Sequence, residues 1–208
     1  MNFNFLNIIL LEDNVYELLK ENEKELFELI PELEKCKGFN QNNKWHIFDV
    51  YEHIIHVVSF VQPNKYLRLA ALFHDIGKPL TYTEDKNGVG HFYNHWSKSV
   101  EIFNKYKNMF NLTTNEIKLI SNLINYHDIN IGKMNTDDMN DLNRIFGDSI
   151  NLLFSLKRAD LLAQSSEYHY LLEDIIKQEK LIKTLKNNNY FIWLFIEYIV
   201  HYNVLNIC

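Results

Sequence analysis

Cysteine is nearly missing from this chain: Cys36 and Cys208 are the only two among 208 residues. Two cysteines so widely separated make neither a metal-type pair nor a disulfide framework, and a reducing cytoplasm is the expected compartment. Proline and glycine are scarce, at 3 and 6, so few positions interrupt a helix and an all-α fold is expected. There is no basic excess either. With 21 basic and 27 acidic residues the net charge is −6, which argues against extended nucleic-acid binding while permitting one local basic pocket. No uninterrupted apolar run reaches the roughly 18–20 residues of a membrane span. The nearest, Phe191 to Val200, is broken by Glu197 and reads as a buried terminal helix. Met1 to Leu11 is apolar but lacks a basic n-region and a small-residue cleavage site, so no signal peptide is expected. A Gly-x-Ser-x-Gly elbow, a paired Cys and His, and a Gly-rich phosphate loop are all missing.

What is present is enough for a packed core: 47% of residues are hydrophobic and 23% charged, within the size of one domain. Helical spacing of apolar residues predicts a helix from about Asp13 to Lys35, capped by Asp13 and divided at Pro31. A polar loop, Gly38 to Lys44, precedes a helix from Ile47 to Val61 that Pro63 stops. The next runs from Lys65 to Ile76, with Gly77 suited to a left-handed C-cap. After a loop from Pro79 to Gly90 with an Asn87-Gly88 turn, further helices are predicted at Asn94–Met109, Thr114–Tyr126, Thr136–Phe146, Ser149–Gln164, Glu167–Lys186 and Tyr190–Tyr202. The aromatic residues of the last one (Tyr190, Phe191, Trp193, Phe195, Tyr198) are expected to seal the core rather than make a dimer.

The most informative feature is His74-Asp75, inside Ala71-Leu72-Phe73-His74-Asp75-Ile76-Gly77-Lys78-Pro79. Neighbours on a helix diverge by about 100°, so this pair can share one ion only from a helix end or an inter-helix groove. Asp75 near a helix C-terminus is electrostatically misplaced, and a bound cation would remove the penalty. Lys78 is expected to project beyond the cap toward an anionic ligand. On the preceding helix, Ile47, Val50, Ile54, Val58 and Val61 form an apolar stripe. His53 falls at its edge, and also fits an ordinary hydrogen-bonded histidine. His56 falls opposite and is expected at the surface. Asp160 shares a face with Leu153 and Leu156, so its carboxylate needs a strong partner. Arg158 points elsewhere, and a metal is the better one. His127 closes the apolar face of Ile117, Ile120, Leu123 and Ile124, and His95 is a better candidate than His91. His46, His169 and His201 show no partner pattern and are read as structural or surface.

The order His53, His74-Asp75, His95, His127, Asp160 resembles the HD-domain superfamily of metal-dependent phosphohydrolases. Within it, the runs Val50-Tyr51-Glu52-His53, His74-Asp75-Ile76-Gly77-Lys78-Pro79 and Gly90-His91-Phe92-Tyr93-Asn94-His95 look most like the HD domain of bacterial CCA-adding tRNA nucleotidyltransferases. The stretch before His46 is too short for the catalytic head of those enzymes, so a stand-alone HD protein is expected and CCA addition is not carried over. The resemblance implies an HD-domain helical bundle over residues 46–165, an N-terminal helical extension over 1–45, and C-terminal helices over 166–208 packed on the same domain. It further implies a divalent ion held by His53, His74, Asp75 and Asp160. His95 and His127 match positions that bind a second metal or the substrate phosphate in some members. Mixed nitrogen and oxygen ligands suit Mn, Fe, Co, Ni or Zn more than Mg. The expected activity is hydrolysis of a nucleotide or other small phosphoester, a 2′,3′-cyclic nucleotide among them, with Asp75 orienting the attacking water and Lys78, His95 and His127 stabilising phosphoryl charge. Two alternatives stand beside it. One is another HD enzyme, a dNTP hydrolase or a di-iron oxygenase. The other is a non-enzymatic nucleotide- or metal-binding module.

Overall fold

A computed structural model describes residues 2–186. The fold is helical, with one two-stranded ribbon among the described residues. Four short N-terminal helices come first: α1 (Phe3–Ile9), α2 (Val15–Glu21), α3 (Glu23–Leu29) and α4 (Pro31–Glu34). The bundle follows with α5 (Val50–Phe60), α6 (Lys65–Phe73), α7 (His95–Tyr106), α8 (Thr114–Tyr126), α9 (Thr136–Phe146) and α10 (Ile150–Leu162). Between α6 and α7, β1 (Thr83–Glu84) pairs antiparallel with β2 (Gly90–His91). Gly88, at φ +77°, makes the turn the sequence predicts there. No helix among the described residues is long and apolar enough to cross a membrane.

Helix starts follow their caps. Thr113 and Glu116 form a reciprocal capping box at α8, and Asn135 with Asp138 forms one at α9. Both helices therefore begin where the sequence predicts. The expected helix from Asp13 to Lys35 is instead broken three ways. Asn22 donates its side-chain amide to the Leu18 carbonyl at the end of α2, and Pro31 occupies the first turn of α4. The breaks let Leu19, Leu26, Ile30 and Leu33 all reach the core, where each is fully buried. The apolar N-terminus, which the sequence left unassigned, is α1, capped by Asn2.

Helix α5 starts at Val50 because the Asp49 carboxylate accepts the Glu52 amide at 2.7 Å. Ile47 thus lies outside the helix and is 63% exposed, so it does not belong to the apolar stripe. His56 is half-buried, not a surface residue, and stacks between Tyr16 and Phe48 with ring centroids 4.8 and 4.3 Å away. The predicted helix Glu167–Lys186 opens as a 3-10 turn over Ser166–Leu171 and becomes α-helical from 172 to 186. The predicted helix at Tyr190–Tyr202, its aromatic residues, His201 and Cys208 lie outside the described residues.

In the bundle, α6 packs on α5 and α8, α7 on α8, and α10 on α5. One apolar cluster runs from Leu6 through Val58 and Leu72 to Leu156 and joins the N-terminal helices to the bundle. Arg68 reinforces that join. Only 2% exposed, it donates to the carbonyls of Leu10, Glu12 and Val61. Removing the guanidinium strands several buried acceptors, so Arg68→Met is expected to cost at least about 2 kcal/mol, read as a lowered urea midpoint.

Candidate metal centre

Three of the histidines sit at helix ends and use the same local device. His74 is the C-cap of α6, His127 the C-cap of α8, and His95 the first residue of α7. Each folds back to the carbonyl three residues earlier: His74 Nδ1 to Ala71 O at 2.7 Å, His127 Nδ1 to Ile124 O at 2.7 Å, and His95 Nδ1 to Phe92 O at 2.8 Å. His53, in the middle of α5, reaches across to Ala163 O at 3.3 Å beyond α10. A carbonyl can only accept, so each Nδ1 carries a proton and donates it. In the neutral imidazoles every Nε2 is then a bare lone pair.

Those lone pairs converge on Asp75, which is 1% exposed. His53 and His74 Nε2 each lie 3.3 Å from Asp75 Oδ2, and 3.3 Å from one another. His95 and His127 Nε2 lie 3.1 and 3.4 Å from Asp75 Oδ1, and 3.1 Å from one another. Asp160 Oδ1, on α10, lies beside the first group, 3.0 Å from His53 Nε2. The two carboxylate oxygens of Asp75 thus divide four histidines into two pairs.

With the rings neutral, these contacts set acceptor against acceptor. Asp75 Oδ1 is buried and accepts no hydrogen bond. A positive charge between the groups resolves the conflict, and the spacing fits a metal. Two donors about 2.1 Å from one ion, at tetrahedral to octahedral angles, stand about 3.0–3.4 Å apart. The observed separations run from 3.0 to 3.4 Å. His53, His74 and Asp75 form one group that could hold a cation, and Asp75, His95 and His127 another.

The electrostatics run the same way. Burial alone would raise the Asp75 carboxyl, but the His74 imidazole and the Lys78 ammonium beside it hold it well below the usual carboxylate range. Asp160 is also held below that range, against its burial, by His53. His53 shows the demand from the other side. Burial opposes its charge, yet hydrogen bonds to Asp160 and Asp75 raise it to about 9. Burial pushes His127 below its ordinary value.

Gly77 and Lys78 depart from the sequence reading. Gly77 is not left-handed: its φ is −80°, and the chain continues directly into a 3-10 turn over Lys78–Leu80. The glycine is required by proximity instead. A Cβ there would lie 2.6 Å from the His95 carbonyl and 2.7 Å from the Ser99 amide nitrogen. Gly77→Ala is therefore expected to cost about 1–3 kcal/mol by overpacking, and to displace His95. Its urea midpoint and bound-metal content should fall together. Lys78 does not project beyond the cap but turns inward, 5% exposed. Its ammonium lies 2.6 Å from Asp75 Oδ2 and 2.8 Å from Gln41 Oε1.

Arg158 pairs with Glu179 at 2.7 Å, away from Asp160. His91 lies on β2 beside Asp85, at 3.6 Å. Two positioning groups escaped the sequence reading. Lys157 on α10 donates to the His127 and Ile129 carbonyls at 2.7 and 2.6 Å, satisfying the open end of α8. His46, read as structural or surface, lies 3.4 Å from Lys78 Nζ through its Nε2. Burial, with Lys78 beside it, holds the His46 imidazole well below its ordinary pKa. Neither residue obeys a spacing rule, because His46 precedes α5 and Lys157 acts on a different helix. A cavity of about 220 Å³ opens onto the centre between His46, Lys78, Trp96, His127, Asp128 and Asp160.

Two comparisons bear on this arrangement. A 94-residue stretch is 34% identical to the protein named Multifunctional CCA protein from Shewanella frigidimarina (strain NCIMB 400), covering 43% of this chain and 22% of that protein. The chain thus matches less than a quarter of that relative's length, and the relative's named activity is its own. Residues 46–163 match the HD domain family, a stretch that begins at His46 and includes every residue of both histidine pairs, Asp75 and Asp160. That match covers more than half of the chain, and the chain belongs to the HD domain family, a superfamily of metal-dependent phosphohydrolases.

Proposed function

We propose that this protein hydrolyses a small phosphoester, with nucleotides and 2′,3′-cyclic nucleotides as the favoured class, using divalent metal held around Asp75. The observation that carries this reading is the convergence of four Nε2 lone pairs on the two oxygens of one buried aspartate, with the Asp160 carboxylate beside one of them, His53. His53, His74, Asp75 and Asp160 would hold the first ion, and Asp75 with His95 and His127 a second. Bound there, a divalent ion supplies an activated water and polarises the phosphoryl oxygen. Nitrogen-rich ligation favours Mn, Fe, Co, Ni or Zn over Mg.

The chain's own residues provide the rest. Asp75 stays ionised and fixes both histidine pairs. Lys78 brings its ammonium to the cavity wall and is kept there by Asp75 and Gln41. The cavity, of about 220 Å³, suits a compact substrate, and the net charge of −6 disfavours a long polyanion. The buried thiol of Cys36 fits a reducing, cytoplasmic compartment.

The test is to strip the protein with chelator, restore single metals, and assay bis-nitrophenyl phosphate, 2′,3′-cyclic AMP and nucleoside monophosphates. Turnover should return with at least one transition metal and exceed that with Mg. Silence toward every substrate with every metal overturns the proposal.

A further inference from the structure

The His46 imidazole is unexplained by metal binding. It lies in the segment before α5, and three contacts pin that segment. Ser165 N donates to Trp45 O at 2.9 Å, Gln41 Nε2 donates to Phe48 O, and the Trp45 ring packs on Tyr168. The imidazole stands edge-on to His53, with centroids 5.0 Å apart, and forms part of the cavity wall.

Its protonation follows from its neighbours by counting hydrogens. Lys78 is an ammonium with three protons and no acceptor. Three acceptors surround it: Asp75 Oδ2, Gln41 Oε1 and His46 Nε2. An Nε2–H could not face that ammonium, so Nε2 is the acceptor and the single proton of the ring sits on Nδ1. That Nδ1 is buried and has no hydrogen-bond partner. A buried N–H without an acceptor is rare in native interiors and calls for one.

We infer that His46 is a substrate-binding residue: its Nδ1–H donates to a phosphoryl oxygen of the ligand, beside the Lys78 ammonium. The inference rests on the phosphohydrolase reading for the identity of the acceptor. A phosphoryl oxygen is an acceptor without protons of its own, which matches an N–H that lacks an acceptor. His46 and Lys78 then form a linked pair in which the imidazole takes a hydrogen bond from the lysine at one nitrogen and gives one to the ligand at the other. Such a relay polarises the ring and strengthens the outgoing bond.

Two substitutions separate this role from that of a brace for Lys78. The amide nitrogen of H46N can stand near the position of Nδ1 and donate. The amide oxygen of H46Q can stand near Nε2 and accept from Lys78, with no donor at the Nδ1 position. The probe is inorganic phosphate, titrated calorimetrically into the Zn-loaded protein, with bound zinc measured in parallel. Zinc content should match wild type in both variants. Phosphate affinity should fall about tenfold or more in H46Q, the value of one hydrogen bond to a charged acceptor, and by less in H46N. Long-range ¹⁵N spectra of the zinc protein should show His46 protonated at Nδ1, with that resonance moving on phosphate addition.

Full phosphate affinity in H46Q overturns the inference, as does an Nε2–H tautomer for His46 or a wild-type protein that binds no phosphate. None of these measurements involves turnover. Failure of the hydrolase reading therefore registers separately, in the metal add-back assay.

Discussion

Replacing Asp75 by asparagine should abolish metal-stimulated turnover, by at least about 10³-fold, and empty the centre of metal. Among the described residues no other carboxylate contacts both histidine pairs, so its loss leaves neither pair with a shared anion. The same substitution has a second effect. It strands the Lys78 ammonium, 5% exposed, without its counter-charge, and an uncompensated buried charge costs about 3–5 kcal/mol. The single variant should therefore be both inactive and less stable. Adding Lys78→Met removes the stranded charge, so the double variant should recover that part of the loss and reach the urea midpoint of the metal-stripped wild type while remaining free of metal. Bound metal by elemental analysis and the urea midpoint by circular dichroism distinguish the two effects. Stoichiometric metal in Asp75→Asn would contradict the role given to this carboxylate.

Metal removal should lower the melting temperature by about 10 °C. A ligand at a thousand times its dissociation constant stabilises by about 4 kcal/mol, and for a chain of this size each kcal/mol moves the midpoint by about 2–4 °C. The two groups draw on α5 and the ends of α6, α7 and α8, and Asp160 adds α10 through His53, so the stabilisation should be global and the transition should stay single. Adding back the stripped metal should restore the midpoint, with the gain rising logarithmically with free ion. A melting curve indifferent to chelator would mean that the histidines pack without an ion. Asp160→Ala should reduce the metal-dependent shift without eliminating it, since the pair formed by His95 and His127 is left intact.

Much of the bundle is legible in the sequence because its signals are local. Thr113 with Glu116 and Asn135 with Asp138 announce α8 and α9 through their own side chains. The N-terminal region is harder to read, because Asn22 and Pro31 break a continuous helical pattern for the benefit of distant packing. At the centre, single positions can be assigned from helix faces and from the HD-like runs, but their grouping cannot. The division of histidines between Oδ1 and Oδ2 of Asp75 depends on how three helix ends and the middle of α5 approach one another. Gly77 shows the same limit. In sequence it reads as a helix stop, whereas its missing side chain is needed by α7, which approaches from another part of the chain. The inward turn of Lys78 needs Gln41, 37 residues away, as a second acceptor.

The backbone anchors of His74 and His127 also bear on how quickly an ion exchanges. Each ring is fastened to the last turn of its own helix, at Ala71 and Ile124. A ligand cannot swing away from the ion while that turn stays wound, and when the turn frays the ring goes with it. Ion release and end-fraying of α6 and α8 are then one event. The metal off-rate should track the opening rate of the amides in those two turns, and substitutions that tighten them should lengthen the residence time without touching a ligand.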